Sequence, residues 1–250
     1  MKPEILVLVP LYAPTLAALE KEYAVRKLWA EQDPDAYMRQ ECGAVRAVVT
    51  TGLAGFRRRH IEALPALEII ASFGDLHGTP APDRAAAAER GVIVTNTPDA
   101  IAATVADLAM GLLIALMRRI AEGDRFVRGG KWLDGPPPPG RDLGGKTCGI
   151  IGMGRIGREI ARRAEVCGMS VRYHGPRRKA DVAYPYEADL EGLARQSDCL
   201  VVICPHTPET RGMVNARILD AIGPEGLLIN VARGPLVDQA ALVSALRDKR

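Results

Sequence analysis

The sequence predicts an α/β protein of two units, each a parallel sheet with helices between its strands. Three observations carry that expectation. Short apolar runs alternate with helical patterns in two separate series, a proline- and glycine-rich tract divides the series, and the second series opens on a glycine turn between a strand and a helix. The first unit is taken as residues 1–97 and the second as 98–250.

In the first unit Ile5–Val9 reads as a strand and Thr15–Tyr23 as a helix. Ala44–Thr50 is a second strand closed by Gly52, Ile61–Leu64 is helical, and Glu68–Ser72 is a third strand. Ala85–Arg90 is an alanine-rich helix stopped by Gly91, and Val92–Thr95 is a fourth strand. Asn96–Pro98 breaks the alternation. A long apolar helix follows over Ala102–Arg119 and reads as buried. The more polar Glu122–Trp132 comes next, then DGPPPPGRDLGG, which is incompatible with helix or central strand and reads as a rigid, exposed connector. The second series runs strand Thr147–Ile151, helix Ile156–Cys167, strand Ser170–Tyr173, helix Leu190–Ala194, strand Cys199–Cys204, helix Ala216–Ala221, strand Leu227–Val231 and helix Ala240–Arg247.

Composition narrows the function. A net charge of +3 with no isolated Lys/Arg block gives no indication of a nucleic-acid partner. Five cysteines without a CxxC pair fit free thiols in a reducing compartment, and no metal is expected. The apolar run near the N-terminus is short for a signal peptide and ends at Pro10. Leu108–Met117, the longest apolar run, is too short to span a bilayer. The expectation is a cytoplasmic protein without a membrane segment.

The stretch CGIIGMGRIGREIARRA places Gly152, Gly154 and Gly157 in the pattern G-x-G-x-x-G, after an apolar strand and at the start of an amphipathic helix. Gly152 permits the tight turn, Gly154 lets a pyrophosphate approach the backbone, and Gly157 allows helix and strand to pack closely. Helix N-terminal N–H groups then face the anion. A purely structural glycine turn is the competing reading. The next strand ends in VRYHGPRRKAD. A site for NAD(H) wants an acid there, for the ribose hydroxyls. His174 or Gly175 stands in that place, and Arg177, Arg178 and Lys179 follow, suited to a 2′-phosphate. NADP(H) is therefore preferred, with NAD(H) possible; a solvated basic turn is the alternative.

Arg233 directly follows the run Leu227–Val231. Ligands of open α/β sheets bind beyond the carboxyl ends of strands, and a guanidinium matches a carboxylate as a planar fork. Arg233 is the candidate catalytic and substrate-binding residue; a surface arginine beside a turn is the plain alternative.

Five ordered segments resemble the D-2-hydroxyacid dehydrogenases: VTNTPDAIAATVADLAMGLLIALMRRI, RFVRGGKW, GIIGMGRIGRE, CPHTPETRGMVN and LLINVARGPLVD. The resemblance covers essentially the whole chain and is nearest to the NADPH-dependent glyoxylate/hydroxypyruvate and hydroxyphenylpyruvate reductases. It implies two Rossmann-like domains, a flavodoxin-like substrate domain and a dinucleotide-binding domain, with the active site in the cleft between them. It also implies a homodimer formed through the helix and arm 102–140. The cofactor residues so implied are Gly152, Met153, Gly154, Arg155, Ile156, Gly157, His174, Arg177, Arg178, Cys204, Pro205, Thr207, Val231, Ala232 and Thr104. Those for a small 2-oxo acid are Leu53, Gly74, Asp75, Leu76 and Arg233, with Arg233 pairing with the acid's carboxylate and carbonyl oxygen.

Family members carry a Glu and a proton-donating His after that arginine. Here no Glu follows Glu225 and no His follows His206, so the resemblance implies a chain continuing past Arg250, or an inactive one. His206 sits in a Pro-His pair, but in a loop that resembles the cofactor side. His60, after three arginines, reads as surface, and His77 as a solvated loop residue. In the loop after Gly74, Asp75 and Leu76 replace a usual small pair, and an acid there would repel a carboxylate unless turned away. Two other functions remain open: a dinucleotide-sensing binding protein, and a related dehydrogenase acting on formate or phosphite.

Overall fold

The computed structural model describes residues 2–51, 54–74, 82–97 and 99–249. The chain divides into two compact units, Met1–Ala100 and Ile101–Arg250.

In the first unit β1 (Glu4–Val7), β2 (Ala24–Lys27), β3 (Val45–Thr51), β4 (Ile69–Phe73) and β5 (Ile93–Asn96) form one parallel sheet in the order β2-β1-β3-β4-β5. This is the flavodoxin-like order. Helices α1 (Ala13–Glu22), α2 (Pro34–Glu41), α3 (Arg58–Glu62) and α4 (Arg84–Glu89) connect the strands. Leu6, Val48 and Ile70 from three adjacent strands bury their side chains with Phe56, Ile61 and Leu64. Such burial contributes roughly 1.5–3 kcal/mol for each large apolar side chain.

Strand β2 and helix α2 are not among the expected elements. Strand β2 reads AVRK, is nowhere fully buried and carries two cations, so it shows no apolar run. It is an edge strand, held in part by Arg26, whose Nε donates to Glu4 at 2.7 Å. Helix α2 buries only Met38, yet its start was legible: Asp33 accepts from the Ala36 N–H at 2.9 Å, and Pro34 occupies the first helical position. His60 is also corrected. Its side chain is 14% exposed and its ring lies 5.3 Å from that of Phe56. Its Nδ1 accepts from the Arg57 N–H at 3.1 Å, closing the start of α3. Burial and the neighbouring Arg59 push its pKa below the usual histidine range.

The second unit begins with α5 (Ala102–Met117) and α6 (Ile120–Arg128), then a 3₁₀ turn at Lys131–Asp134 and an extended stretch to β6. Strands β6 (Thr147–Ile151), β7 (Ser170–His174), β8 (Cys199–Val202) and β9 (Leu227–Asn230) are parallel and ordered β7-β6-β8-β9. Between and after them lie α7 (Arg155–Val166), α8 (Leu190–Arg195), α9 (Ala216–Ile222) and α10 (Gln239–Asp248). One core joins Ala106, Ala109, Met110 and Leu113 of α5 to Ile160, Ala161 and Ala164 of α7. The alanines on both helices let their axes approach closely.

The expectation of a buried α5 holds for only one face. Leu108, Leu112 and Leu116 recur every four residues and are 57%, 41% and 45% exposed. Ile120, Val127, Trp132 and Leu133 are exposed after them. The proline-rich stretch is extended and mostly exposed. It closes back on α5, where the Arg141 N–H donates to the Met117 carbonyl at 2.7 Å, and the Arg141 guanidinium reaches the Glu225 carbonyl at 2.5 Å. Among the described residues no helix is long and apolar enough to cross a membrane.

Candidate functional site

The candidate site is built on the carboxyl edge of the second sheet. In the order β7-β6-β8-β9, connections leave β6 towards both sides, so the gap between β6 and β8 is the switch point at which such sheets bind ligands. Gly152 marks it. Its φ is +107°, and a Cβ there would sit 2.7 Å from the Cys204 nitrogen. Its N–H donates to the His174 carbonyl at 2.9 Å, which joins the ends of β6 and β7. Gly157 lies in the first turn of α7, where a Cβ would overlap the Gly152 carbonyl oxygen. Glycine is therefore required at both positions by the protein itself.

Gly154 differs. It precedes α7 with no side-chain cap, it is exposed, and a Cβ built on it meets no protein atom within 4 Å. The turn at Gly154 is thus open at the N-terminus of α7, where uncapped N–H groups and the helix dipole favour an anion. Met153 is buried and offers only its backbone. Arg155 is exposed and Ile156 is half-buried against the core.

At the end of β7, His174 is half-buried and its Nδ1 lies 3.0 Å from the Glu187 carbonyl. No carboxylate occupies the strand end, and Arg177 and Arg178 are exposed just beyond it. After β8, Cys204 is half-buried with its Sγ 3.6 Å from the Met213 sulfur. Burial pushes its thiol pKa up and so disfavours the thiolate. The exposed Pro205 and half-buried His206 and Thr207 follow. Thr210, not singled out from sequence, fixes this loop: its Oγ accepts from the Thr207 N–H at 2.8 Å and donates to the Pro205 carbonyl at 2.9 Å. The threonine spacing in HTPET was the available signal.

Beyond β9, the Val231 N–H donates to the Val202 carbonyl at 3.2 Å and prolongs the ladder by one step. Asn230 then holds the turn. Its Oδ1 accepts from the Ala232 N–H at 3.0 Å and its Nδ2 donates to the Arg233 carbonyl at 2.9 Å. Sequence reasoning passed over Asn230, although an asparagine closing an apolar strand is a turn signal. The Arg233 guanidinium is exposed, donates once to the Ala232 carbonyl at 2.9 Å, and takes part in no ion pair among the described residues. Thr104 is exposed in the first turn of α5.

In the first unit Gly74 follows β4 with φ +94°. Its N–H donates to Thr97 Oγ1 at 3.0 Å and its carbonyl accepts from the Thr97 N–H at 3.2 Å. Leu53, Asp75, Leu76 and His77 lie outside the described residues. Among the described residues no cluster of potential metal ligands occurs.

Comparison with known proteins joins these features. A family model described as D-isomer specific 2-hydroxyacid dehydrogenase, NAD binding domain, matches residues 110–250. The chain is 41% identical over 246 residues to glyoxylate/hydroxypyruvate reductase A of Arabidopsis thaliana, covering 98% of this chain and 78% of that protein.

The chain belongs to the D-isomer specific 2-hydroxyacid dehydrogenase family.

Hydroxyphenylpyruvate reductase of Plectranthus scutellarioides is a second relative of this dehydrogenase, also 41% identical with 98% and 78% coverage. A 2-hydroxyacid dehydrogenase from Ketogulonicigenium vulgare superposes with a TM-score of 0.91 at 38% identity, over 99% of this chain and 78% of that one. An NADPH-dependent glyoxylate/hydroxypyruvate reductase from Sinorhizobium meliloti, solved with NADP and malonate, gives 0.86 at 37%, over 100% and 77%. The matched segment of this dehydrogenase holds the whole second sheet, the glycine turn and Arg233, so its second unit is a nicotinamide-dinucleotide-binding domain.

Proposed function

We propose that this dehydrogenase reduces a small 2-oxo acid of the glyoxylate and hydroxypyruvate class to the D-2-hydroxy acid, with NADPH as reductant. One observation carries the reading: the uncapped glycine turn and Arg233 follow β6 and β9 on the same carboxyl edge, with only the loop after β8 between them. Relatives named as glyoxylate/hydroxypyruvate and hydroxyphenylpyruvate reductases, and a similar structure solved with NADP, support it.

NADPH, when bound, would supply the hydride, and the carbonyl oxygen takes up one proton to complete the hydroxyl. The N–H groups at the start of α7 would hold the cofactor's pyrophosphate, and Arg177 and Arg178 would pair with the 2′-phosphate. Cys204, Pro205, Thr207, Val231 and Ala232 offer backbone and short side chains along the edge, and Thr104 adds a hydroxyl. Arg233 binds the carboxylate and carbonyl oxygen of the acid through its planar fork and stabilises the negative charge that builds on that oxygen. Gly74, with Leu53, Asp75 and Leu76, contributes to the substrate side in this reading. Cys42, Cys148, Cys167, Cys199 and Cys204 are all free thiols, which supports a cytoplasmic location.

The double variant Arg177→Ala/Arg178→Ala tests the cofactor assignment. Loss of two charge-assisted contacts is expected to lower kcat/KM with NADPH about 30- to 100-fold and leave NADH nearly unchanged. Equal weakening of both cofactors in steady-state kinetics sinks the assignment.

The exposed row Leu108, Leu112, Leu116 and Ile120, with Trp132 and Leu133, supports a homodimer through the region 102–140. Sedimentation equilibrium is expected to give twice the chain mass, and Leu112→Glu/Leu116→Glu to give the monomer. A monomer from the unaltered protein removes the dimer.

A further inference from the structure

We infer that the hydroxyls of Tyr173 and Tyr186 are positioning groups for the 2′-phosphate of the cofactor, acting through the loop that carries Arg177 and Arg178. The inference rests on the NADPH reading above.

The loop leaves β7 at Gly175. The Tyr186 hydroxyl donates to the Gly175 carbonyl at 3.0 Å, and the Lys179 N–H donates to the Tyr173 hydroxyl oxygen at 2.8 Å. The two bonds bracket the loop at its first and fifth residues, with both arginines between them. Tyr173 is 1% exposed and belongs to the core, so its ring is a fixed post. The Tyr186 ring packs against it, tilted 52° with centroids 5.3 Å apart. The backbone around Tyr186 is anchored as well: the Tyr173 N–H donates to the Pro185 carbonyl at 3.0 Å, and the Glu187 N–H to the Tyr173 carbonyl at 2.8 Å.

The next turn completes the frame. The Val182 N–H donates to the Lys179 carbonyl at 3.3 Å, and Arg158 on α7 donates to the Asp181 carboxylate at 2.6 Å. The nearest acid in the chain after the two arginines is thereby engaged by another cation. Arg177 and Arg178 are exposed and, among the described residues, in no ion pair. A merely solvated basic turn needs no buried phenol to hold its backbone. A loop already shaped for its ligand spends less conformational entropy on binding, so the brackets favour the ligand that the arginines touch. A ligand lacking the 2′-phosphate gains nothing from them.

Calorimetric titration of the full chain with adenosine 2′,5′-bisphosphate and with 5′-AMP tests this without turnover. The unaltered protein is expected to prefer the bisphosphate. Tyr173→Phe and Tyr186→Phe, each removing one hydrogen bond, are expected to weaken the bisphosphate about fivefold and leave 5′-AMP within about twofold. Arg177→Ala/Arg178→Ala serves as the control. Should the unaltered protein and the control bind both ligands alike, the NADPH reading fails and takes the inference with it. If the control loses its preference but both phenylalanine variants keep it, the inference alone is overturned. A fall in thermal midpoint with an unchanged ligand ratio likewise overturns it, by assigning the hydroxyls to stability. Should Tyr173→Phe not fold, Tyr186→Phe, whose residue is only half-buried, decides alone.

Discussion

Arg233→Lys is expected to lower kcat/KM for glyoxylate by about 100- to 1,000-fold while the dissociation constant for NADPH stays within about twofold. The charge survives the exchange, so the loss isolates the fork. Guanidinium engages a carboxylate and a neighbouring carbonyl oxygen together, from donors in one plane; an ammonium on a flexible stem meets one at a time. The surrounding structure favours the arginine's geometry. Asn230 holds the turn from both sides, through the Ala232 N–H and the Arg233 carbonyl, so the residue leaves the sheet in one direction. Among the described residues its guanidinium spends one donor, on the Ala232 carbonyl, and the proposed role draws on the others. Steady-state kinetics with a parallel fluorescence titration of NADPH checks the result, and unchanged kinetics would remove Arg233 from the site.

Gly154→Ala is expected to leave thermal stability within about 0.5 kcal/mol of the unaltered protein and weaken NADPH at least about 100-fold. Its Cβ meets no protein atom within 4 Å and its φ of −85° suits any residue, so the fold tolerates the methyl group. In the proposed binding mode the cofactor's pyrophosphate approaches the backbone through that space, and a methyl there would hold it off the α7 N–H groups. Gly157→Ala should behave in the opposite order. Its Cβ overlaps the Gly152 carbonyl oxygen inside the unit, so a loss of roughly 1–3 kcal/mol in stability comes first and weak binding follows from it. Chemical denaturation and cofactor titration of both variants separate the two roles. An alanine at 154 that binds NADPH normally would mean the pyrophosphate lies elsewhere.

The parts legible in the sequence are those with local causes. The expectation of strands at Thr147–Ile151 and Ser170–Tyr173, and of a helix after the glycine turn, matches β6, β7 and α7 to within a residue. Buried parallel strands must be continuous apolar runs, and the helix must keep one apolar stripe. The missed elements lack such runs. β2 is a half-exposed edge with two cations, and α2 buries one residue, so neither stands out by periodicity. For α5 the apolar content is legible in the sequence and its placement is not. A helix apolar all round predicts burial on every side, yet within its own unit α5 packs one face and leaves Leu108, Leu112 and Leu116 exposed.

At the site the same division holds. The spacing of Gly152, Gly154 and Gly157 and the position of Arg233 at a strand end are readable because backbone geometry and strand polarity constrain single residues. The sequence by itself determined the phosphate turn, the cationic loop and the arginine. The tertiary structure decided which glycines serve the protein and which leaves room for a ligand, because that depends on Cys204, 52 positions away from Gly152, packing against the turn. It also decided what holds these candidate cations in place. Asn230 beneath Arg233 and Tyr173 with Tyr186 around Arg177 and Arg178 act through hydrogen bonds whose partners are set by three-dimensional packing, and no periodicity in the chain records those distances.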